Sequence, residues 1–96
     1  MSSAWTIEFA ESAARQLRKL DRPVARRIVA FLRERVSTAA DPRSLGEALK
    51  GDELGRLWKY RVGDYRVMYD SIDQDRVILV LGIVHRRDLE GWIRNR

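Results

Sequence analysis

Several residue types that support common enzyme chemistries are absent or scarce in this sequence. It has no cysteine, which excludes disulfides, thiol nucleophiles and cysteine-bound zinc. His85 is the only histidine, and neither a metal-spaced cluster nor a glycine-rich phosphate loop accompanies it. We therefore expect no metal and no cofactor. No apolar run approaches the roughly 18 residues of a membrane span, so we expect no membrane partner.

Positive charge is the feature that the sequence has in excess. The net charge is +5 and the isoelectric point is about 10.2. Of the 19 cationic residues in the sequence, three are lysines and 16 are arginines. Arginine grips phosphate with a flat, bidentate fork, and basic clusters gain affinity by releasing counterions from phosphates. A polyanionic partner explains this bias, and so does a GC-rich genome.

Length and composition predict a single globular domain spanning residues 1–96. A chain of 96 residues can close one core but not two. A composition of 45% apolar and 34% charged residues is typical of globular proteins. The first five residues carry neither a basic leader nor an apolar stretch, so we expect no export signal and a cytoplasmic protein.

Hydrophobic periodicity predicts a strand and two helices in the first 40 residues. Apolar and polar residues alternate over 5–9, as in a half-buried strand. Apolar residues recur at helical spacing over 11–20 and again over 24–36. Asp21 can cap the second helix and Pro23 suits its first turn. The two helices should therefore form a tight hairpin.

The second half of the chain predicts a sheet. Residues 37–55 are small and polar, which indicates a loop with at most a short turn at 45–49. Strands are predicted over 57–62, 65–72 and 76–84, the last apolar enough for a central strand buried on both faces, and a short helix over 88–94. The order β-α-α-β-β-β-α predicts an α+β fold, an antiparallel β-sheet with an N-terminal helical hairpin packed on one face.

A two-residue turn at Gly63-Asp64 fixes the register of the first two strands of this half. It places Arg61 opposite Arg66, and both share one sheet face with Lys59. The other face must be the core. Its residues are Trp58, Tyr60, Val62, Tyr65, Val67 and Tyr69.

The opposed arginines are the strongest functional signal in the pattern. Like charges that face each other across strands cost of order 0.2–1 kcal/mol, which an anion between them would offset, most simply a phosphate. A solvated face, or an arginine paired with Asp64 or Asp70, also explains them. The apolar last strand ends in His85, Arg86 and Arg87, which adds three potential cations at the same end of the sheet.

Three segments resemble the RelE branch of the RelE/ParE toxin superfamily. They are Leu49-Lys50-Gly51, the run from Leu57 to Tyr69 around Arg-Val-Gly-Asp-Tyr-Arg, and the run from Val80 to Asp88. The order of elements along nearly the whole chain fits as well. The resemblance implies a type II toxin that enters the ribosomal A site, contacts ribosomal RNA and cleaves mRNA without a metal or cofactor. It also implies a RelB-like antitoxin, through which alone the toxin reaches operator DNA.

The resemblance further implies catalytic roles in an attack of the ribose 2′-hydroxyl on the adjacent phosphorus. Lys59 stands at the position of the family's catalytic lysine and can act as a base if Arg61 lowers its pKa toward neutrality. Arg66 matches the arginine that stabilises the phosphate charge. Arg86 matches the arginine at the leaving group, and we expect an electrostatic role there because arginine holds its proton to above about pH 12.

Four further residues are expected to bind RNA, namely Lys50, His85, Arg87 and Trp92. His85 is either structural or a proton carrier. Where the family often has a tyrosine that stacks on a base, this sequence has Glu90 or Trp92, depending on the gap. Trp92 either stacks on a base or packs the last helix on the core, and it cannot supply a phenolic proton.

The helices carry basic residues opposite their apolar stripes, which form either a solvated face or a contact with ribosomal RNA. They are Arg15, Arg18, Lys19, Arg22, Arg26, Arg27, Arg33 and Arg35.

Two functions other than mRNA cleavage stay open. One is a ParE-type protein, which shares this fold but poisons DNA gyrase without cutting RNA. The other is an inactive homologue that only helps its antitoxin bind operator DNA.

Overall fold

The structure is a computed structural model that describes residues 4–51 and 55–95. Its elements are β1 (Thr6–Phe9), α1 (Glu11–Lys19), α2 (Arg22–Phe31), β2 (Glu47–Ala48), β3 (Leu57–Val62), β4 (Tyr65–Ile72), β5 (Val77–His85) and α3 (Leu89–Arg94). A π-helical turn prolongs α2 over Leu32–Val36, and 3-10 turns lie at Pro42–Leu45, Asp73–Asp75 and Arg86–Asp88. None of the helices in these two ranges is long and apolar enough to cross a membrane.

The helical hairpin is as predicted, but the side chain of Asp21 does not cap the second helix. Two residues separate α1 from α2, and the hairpin buries Ala13 and Ile28. Asp21 occupies the N-cap of α2, where its carbonyl accepts the Ala25 amide proton, yet its carboxylate makes no capping hydrogen bond. Pro23 explains the difference because it lacks one of the two amide protons that an N-cap side chain can bind.

The five strands form one sheet in the order β1-β5-β4-β3-β2. All neighbours are antiparallel except β1 and β5, which run parallel. The predicted α+β fold with a helical hairpin is confirmed, whereas the parallel pair was not predicted. Parallel neighbours need a long connection, and the chain between β1 and β5 provides it. β5 is an internal strand, as expected, while β4 occupies the centre of the sheet.

The main core lies between the helical hairpin and one face of the sheet. Tyr60 and Tyr69 stack with ring centroids 4.0 Å apart and an interplanar angle of 9°, and Phe31 meets Tyr60 edge-on at 5.3 Å. The Tyr60 hydroxyl donates to the Pro42 carbonyl at 3.1 Å. Burial raises the pKa of the Tyr69 phenol to about 12. This packing of neutral rings holds β3 and β4 against the helices.

A smaller apolar cluster lies on the opposite face of the sheet, under α3. Leu57 and Met68 are buried there, and Trp92 and Ile93 of α3 pack against them. Trp92 lies so close to Gly82 that a Cβ on Gly82 would be 2.5 Å from the indole Nε1. β5 is therefore buried on the hairpin side and half-buried on the α3 side, less completely than its apolar run predicts.

The loop between α2 and β3 contains a strand that the sequence did not reveal. It begins with a 3-10 turn in which the Asp41 carboxylate accepts the Arg43 amide proton at 3.2 Å. The chain then enters β2, which pairs with β3, so the short turn expected at 45–49 is wrong. The guanidinium of Arg43 donates two hydrogen bonds, of 3.0 and 2.5 Å, to the carboxylate of Asp73 and so holds the loop in place.

Gly46 allows this loop to approach β3 closely, which yields a stability prediction. A Cβ on Gly46 would lie 2.6 Å from the Lys59 carbonyl oxygen and 2.8 Å from the Tyr69 hydroxyl. We expect Gly46→Ala to lower the free energy of unfolding by about 1–3 kcal/mol, measured by urea denaturation. Gly91→Ala is the control because, its chain neighbours and its own helix backbone apart, no heavy atom of the described residues lies within 4 Å of a Cβ there. Equal denaturation midpoints for the two variants would contradict the prediction.

Candidate nucleic-acid interface

The β3–β4 hairpin has the predicted register. Arg61 lies directly opposite Arg66, and Lys59 lies opposite Met68. Gly63 has a φ of +60°, as the first position of a type II′ two-residue turn requires. The three cations therefore share the sheet face that is turned away from the tyrosine core.

Arg66 is the buried member of this group, with 9% of its surface exposed. Its Nη1 donates to the carbonyl oxygens of Gly63 at 3.1 Å and Tyr65 at 3.0 Å. Within the described ranges no carboxylate oxygen lies within 4.0 Å of its guanidinium. Removal from water lowers the pKa of Arg66, and the charges of Arg61 and Arg86 lower it further. Its remaining N–H groups are suited to an anion.

The end of β5 is tied to the hairpin turn, which brings Arg86 to the same place. The Arg86 amide donates to the Asp64 carbonyl at 2.7 Å, and Arg86 Nε lies 3.8 Å from Asp64 Oδ1. Both side chains are about two-thirds exposed, so the ion pair contributes little to stability. Asp64 thus pairs with Arg86, whereas one of the opposed arginines was the expected alternative partner.

Lys59 faces a carboxylate that the sequence did not reveal. Glu47 of β2 lies opposite Lys59 in the strand pair, with Oε1 3.8 Å from Nζ. The Lys59 side chain is only 19% exposed, whereas that of Glu47 is 57% exposed, so water reaches the pair from the Glu47 side and screens it in part. A two-residue strand has no periodicity to detect, and the tertiary fold alone decides its pairing. No signal in the sequence could have identified Glu47.

Lys59, Arg61, Arg66 and Arg86 together form a cationic group that we call the hairpin cluster. It has four cations and two neighbouring carboxylates, so it keeps a net positive charge around a desolvated centre. Such a group can bind a phosphodiester and hold it in a fixed orientation. In the described part of the chain, no group of three or more histidines, aspartates or glutamates could hold a metal ion.

His85 lies at the same end of the sheet as the hairpin cluster but on the other face. It pairs with Tyr65 across β4 and β5, and the two rings meet edge-on with centroids 5.3 Å apart. Its Nδ1 accepts the Arg87 amide proton at 3.2 Å. The contacts of His85 are therefore those of a structural residue that caps the following turn.

The other three residues expected to bind RNA are also outside the hairpin cluster. Arg87 and Trp92 line an open cleft of about 730 Å³ beside α3. Of the two roles expected for Trp92, packing is the one that its contact with Gly82 shows. Lys50 is exposed in the turn after β2.

Comparison with known proteins gives one family and close structural relatives. Residues 7–90 match the family described as the ParE toxin of the type II toxin-antitoxin system, parDE. The chain is 29% identical over 85 residues to toxin RelG of Mycobacterium tuberculosis, an alignment that covers 88% of this chain and 94% of that protein.

Two crystal structures have the same fold. The toxin-antitoxin complex RelBE2 from Mycobacterium tuberculosis aligns with a TM-score of 0.76 and 29% identity, covering 86% of this chain and 99% of that chain. The archaeal RelE-RelB complex from Pyrococcus horikoshii aligns with a TM-score of 0.67 and 27% identity, covering 86% and 96%. Because the family match spans most of its length, the chain belongs to the ParE toxin family of type II toxin-antitoxin systems, within the RelE/ParE superfamily.

Proposed function

We propose that this toxin is a ribosome-dependent endoribonuclease that cleaves mRNA in the ribosomal A site. The observation that carries the proposal is the desolvated guanidinium of Arg66, which has no carboxylate partner among the described residues and is close enough to Arg61 and Arg86 for their charges to lower its pKa. A surface that only binds a polyanion can keep its cations exposed to water. Desolvated cations are suited to stabilising charge that develops during a reaction.

We also propose a cognate RelB-like antitoxin as the partner that restrains the toxin. Both similar crystal structures are complexes of a toxin with its antitoxin, which supports this partner. Operator DNA would then be reached only through the antitoxin complex, and the toxin would act in the cytoplasm.

A ParE-like inhibitor of DNA gyrase is the second candidate function, because the matching family carries the ParE description. Such a protein would bind its target without cutting RNA. The hairpin cluster favours the first candidate, since binding alone does not require two opposed arginines with one of them desolvated.

The proposed reaction needs nothing beyond the chain, the substrate and water, which supplies the proton for the leaving oxygen. The ribose 2′-hydroxyl oxygen loses its proton and attacks the adjacent phosphorus in line, the bond from phosphorus to the 5′ oxygen breaks, and that oxygen gains a proton. The products are a 2′,3′-cyclic phosphate and a 5′-hydroxyl. Negative charge builds on the non-bridging oxygens, where Arg66 and Arg61 would stabilise it.

Lys59 is assigned to the attacking 2′ oxygen and Arg86 to the departing 5′ oxygen. Lys59 would take the 2′-hydroxyl proton as a neutral amine, and Glu47 Oε1 lies 3.8 Å from its Nζ. Its role as a base would require the substrate to displace Glu47 from this contact. Arg86 would stabilise the departing 5′ oxygen by its charge, because an arginine releases its proton only above about pH 12.

Primer extension on mRNA from a translating extract distinguishes the candidate functions. We expect cuts at defined codon positions that disappear when ribosomes are omitted. Intact mRNA together with inhibited supercoiling by gyrase would overturn the proposal in favour of the ParE-like function. Intact mRNA and active gyrase would instead indicate an inactive homologue.

Arg66→Met tests the catalytic centre, because methionine keeps an apolar stem and removes the charge. We expect the cleavage rate to fall about 100-fold or more. Stability should change by less than about 1 kcal/mol, a shift in Tm of no more than roughly 4–8 °C, because relief of repulsion from Arg61 and Arg86 offsets the lost hydrogen bonds. Arg18→Met, on the exposed face of α1, should change neither quantity. A larger fall in Tm for Arg66→Met would show that Arg66 is structural.

Glu47→Gln tests the role of Lys59 as a base, because it removes a carboxylate and keeps its size. We expect single-turnover cleavage at neutral pH to become roughly 2–10-fold faster, since no carboxylate then pairs with Lys59 Nζ and the substrate need not displace one. Glu8→Gln in β1, at the other edge of the sheet, is the control. A large loss of cleavage in Glu47→Gln would assign the proton transfer to the carboxylate instead.

A further inference from the structure

Arg27 of α2 reaches the hairpin turn from the side opposite to the hairpin cluster. A Cβ on Gly63 would lie 2.8 Å from Arg27 Nη1 and 3.3 Å from its Cζ, so the guanidinium rests against the glycine. A small cleft of about 130 Å³ opens beside it, and Val62, Asp64 and Tyr65 also line this cleft. The sequence placed Arg27 among the general basic residues of the helices, because nothing in it shows which of them meets the turn.

Arg27 lies against the turn but has no acidic partner among the residues that the structure describes. No carboxylate oxygen of the described residues lies within 4.0 Å of its guanidinium. Asp64 lines the same cleft, yet its carboxylate pairs with Arg86 on the other side of the turn. Arg15 of α1, by contrast, pairs with Glu11 at 3.7 Å. Arg27 is thus an exposed cation that lies against the hairpin turn and is available to an anion.

We propose that Arg27 binds an RNA phosphate other than the one that is cleaved. RNA would then pass over the Gly63 turn, with the hairpin cluster on one side and Arg27 on the other. Glycine at the turn has no side chain to obstruct the sugar-phosphate backbone, and arginine matches phosphate geometry with two parallel hydrogen bonds. This inference rests on the proposed function, because both require RNA at the hairpin turn. The phosphate can belong to the message or to ribosomal RNA.

The experiment measures RNA binding as a function of salt for the full chain. Arg66→Met serves as the background so that the RNA is not cleaved, and Arg27→Gln is compared with Arg26→Gln in that background. Arg26 is the adjacent arginine of the same helix and lines a different groove, between α1 and α2. Both substitutions remove one charge from the exposed surface of α2, so they match in net charge and in helix context.

We expect Arg27→Gln to weaken binding about fivefold at 0.1 M salt and to reduce the slope of log affinity against log salt by ~0.7, the share of one single-strand phosphate contact. Arg26→Gln should stay within about twofold of the background. A fluorescent single-stranded oligoribonucleotide and empty ribosomes serve as separate probes. If Arg27→Gln lowers the affinity for the oligonucleotide, the phosphate belongs to the message. If it lowers the affinity for ribosomes alone, the phosphate belongs to ribosomal RNA.

Equal binding by the Arg27→Gln and Arg26→Gln proteins to both probes would overturn the inference. So would a loss of antitoxin binding by Arg27→Gln with RNA binding intact, since the site would then serve a protein. If RNA is bound through Arg27 but primer extension shows intact mRNA, the endoribonuclease proposal fails and the phosphate site stands. If the unaltered chain cleaves mRNA while Arg27→Gln behaves like Arg26→Gln, only the phosphate site fails.

Discussion

Two arginines that face each other across the β3–β4 hairpin are the constraint on which the site depends. The Gly63 turn sets their register, and a slip by one residue would turn one of the two arginines toward the tyrosine core. Their repulsion costs of order 0.2–1 kcal/mol. The stacked rings of Tyr60 and Tyr69 on the opposite face keep the strands in this register. Packing in the core therefore compensates for the repulsion between the two arginines at the site.

The carboxylates around the hairpin cluster organise it without neutralising its centre. Glu47 pairs with Lys59 at one end, and Asp64 pairs with Arg86 at the other. Arg66 is held by backbone carbonyl oxygens, which orient its guanidinium without pairing it directly with a carboxylate of the described residues. Orientation before substrate arrives is what electrostatic stabilisation requires, because groups that are already in place need not reorganise during the reaction.

The part of the site that could be predicted from sequence is the part that a local turn determines. A two-residue turn fixes which residues of the two strands pair and which face each side chain occupies, so the pairing of Arg61 with Arg66 could be derived from the six consecutive residues 61–66. The face of His85 could not, because the run before it is apolar throughout and an irregularity in β4 interrupts the register with β5. The partners of Glu47 and Arg27 depend on contacts between distant segments, for which a single sequence carries no periodic signal.

The contact between Trp92 and Gly82 limits what the C-terminal helix can contribute to the proposed reaction. The indole packs against the sheet beside Met68, and its N–H is not an acid at neutral pH. An arginine side chain is likewise a poor proton donor at neutral pH. Neither residue therefore replaces the phenolic proton of the family's usual tyrosine. In the proposed mechanism the departing 5′ oxygen must be stabilised as an anion by Arg86 and take its proton from water, so the cationic charge of the cluster carries more of the catalysis than proton transfer does.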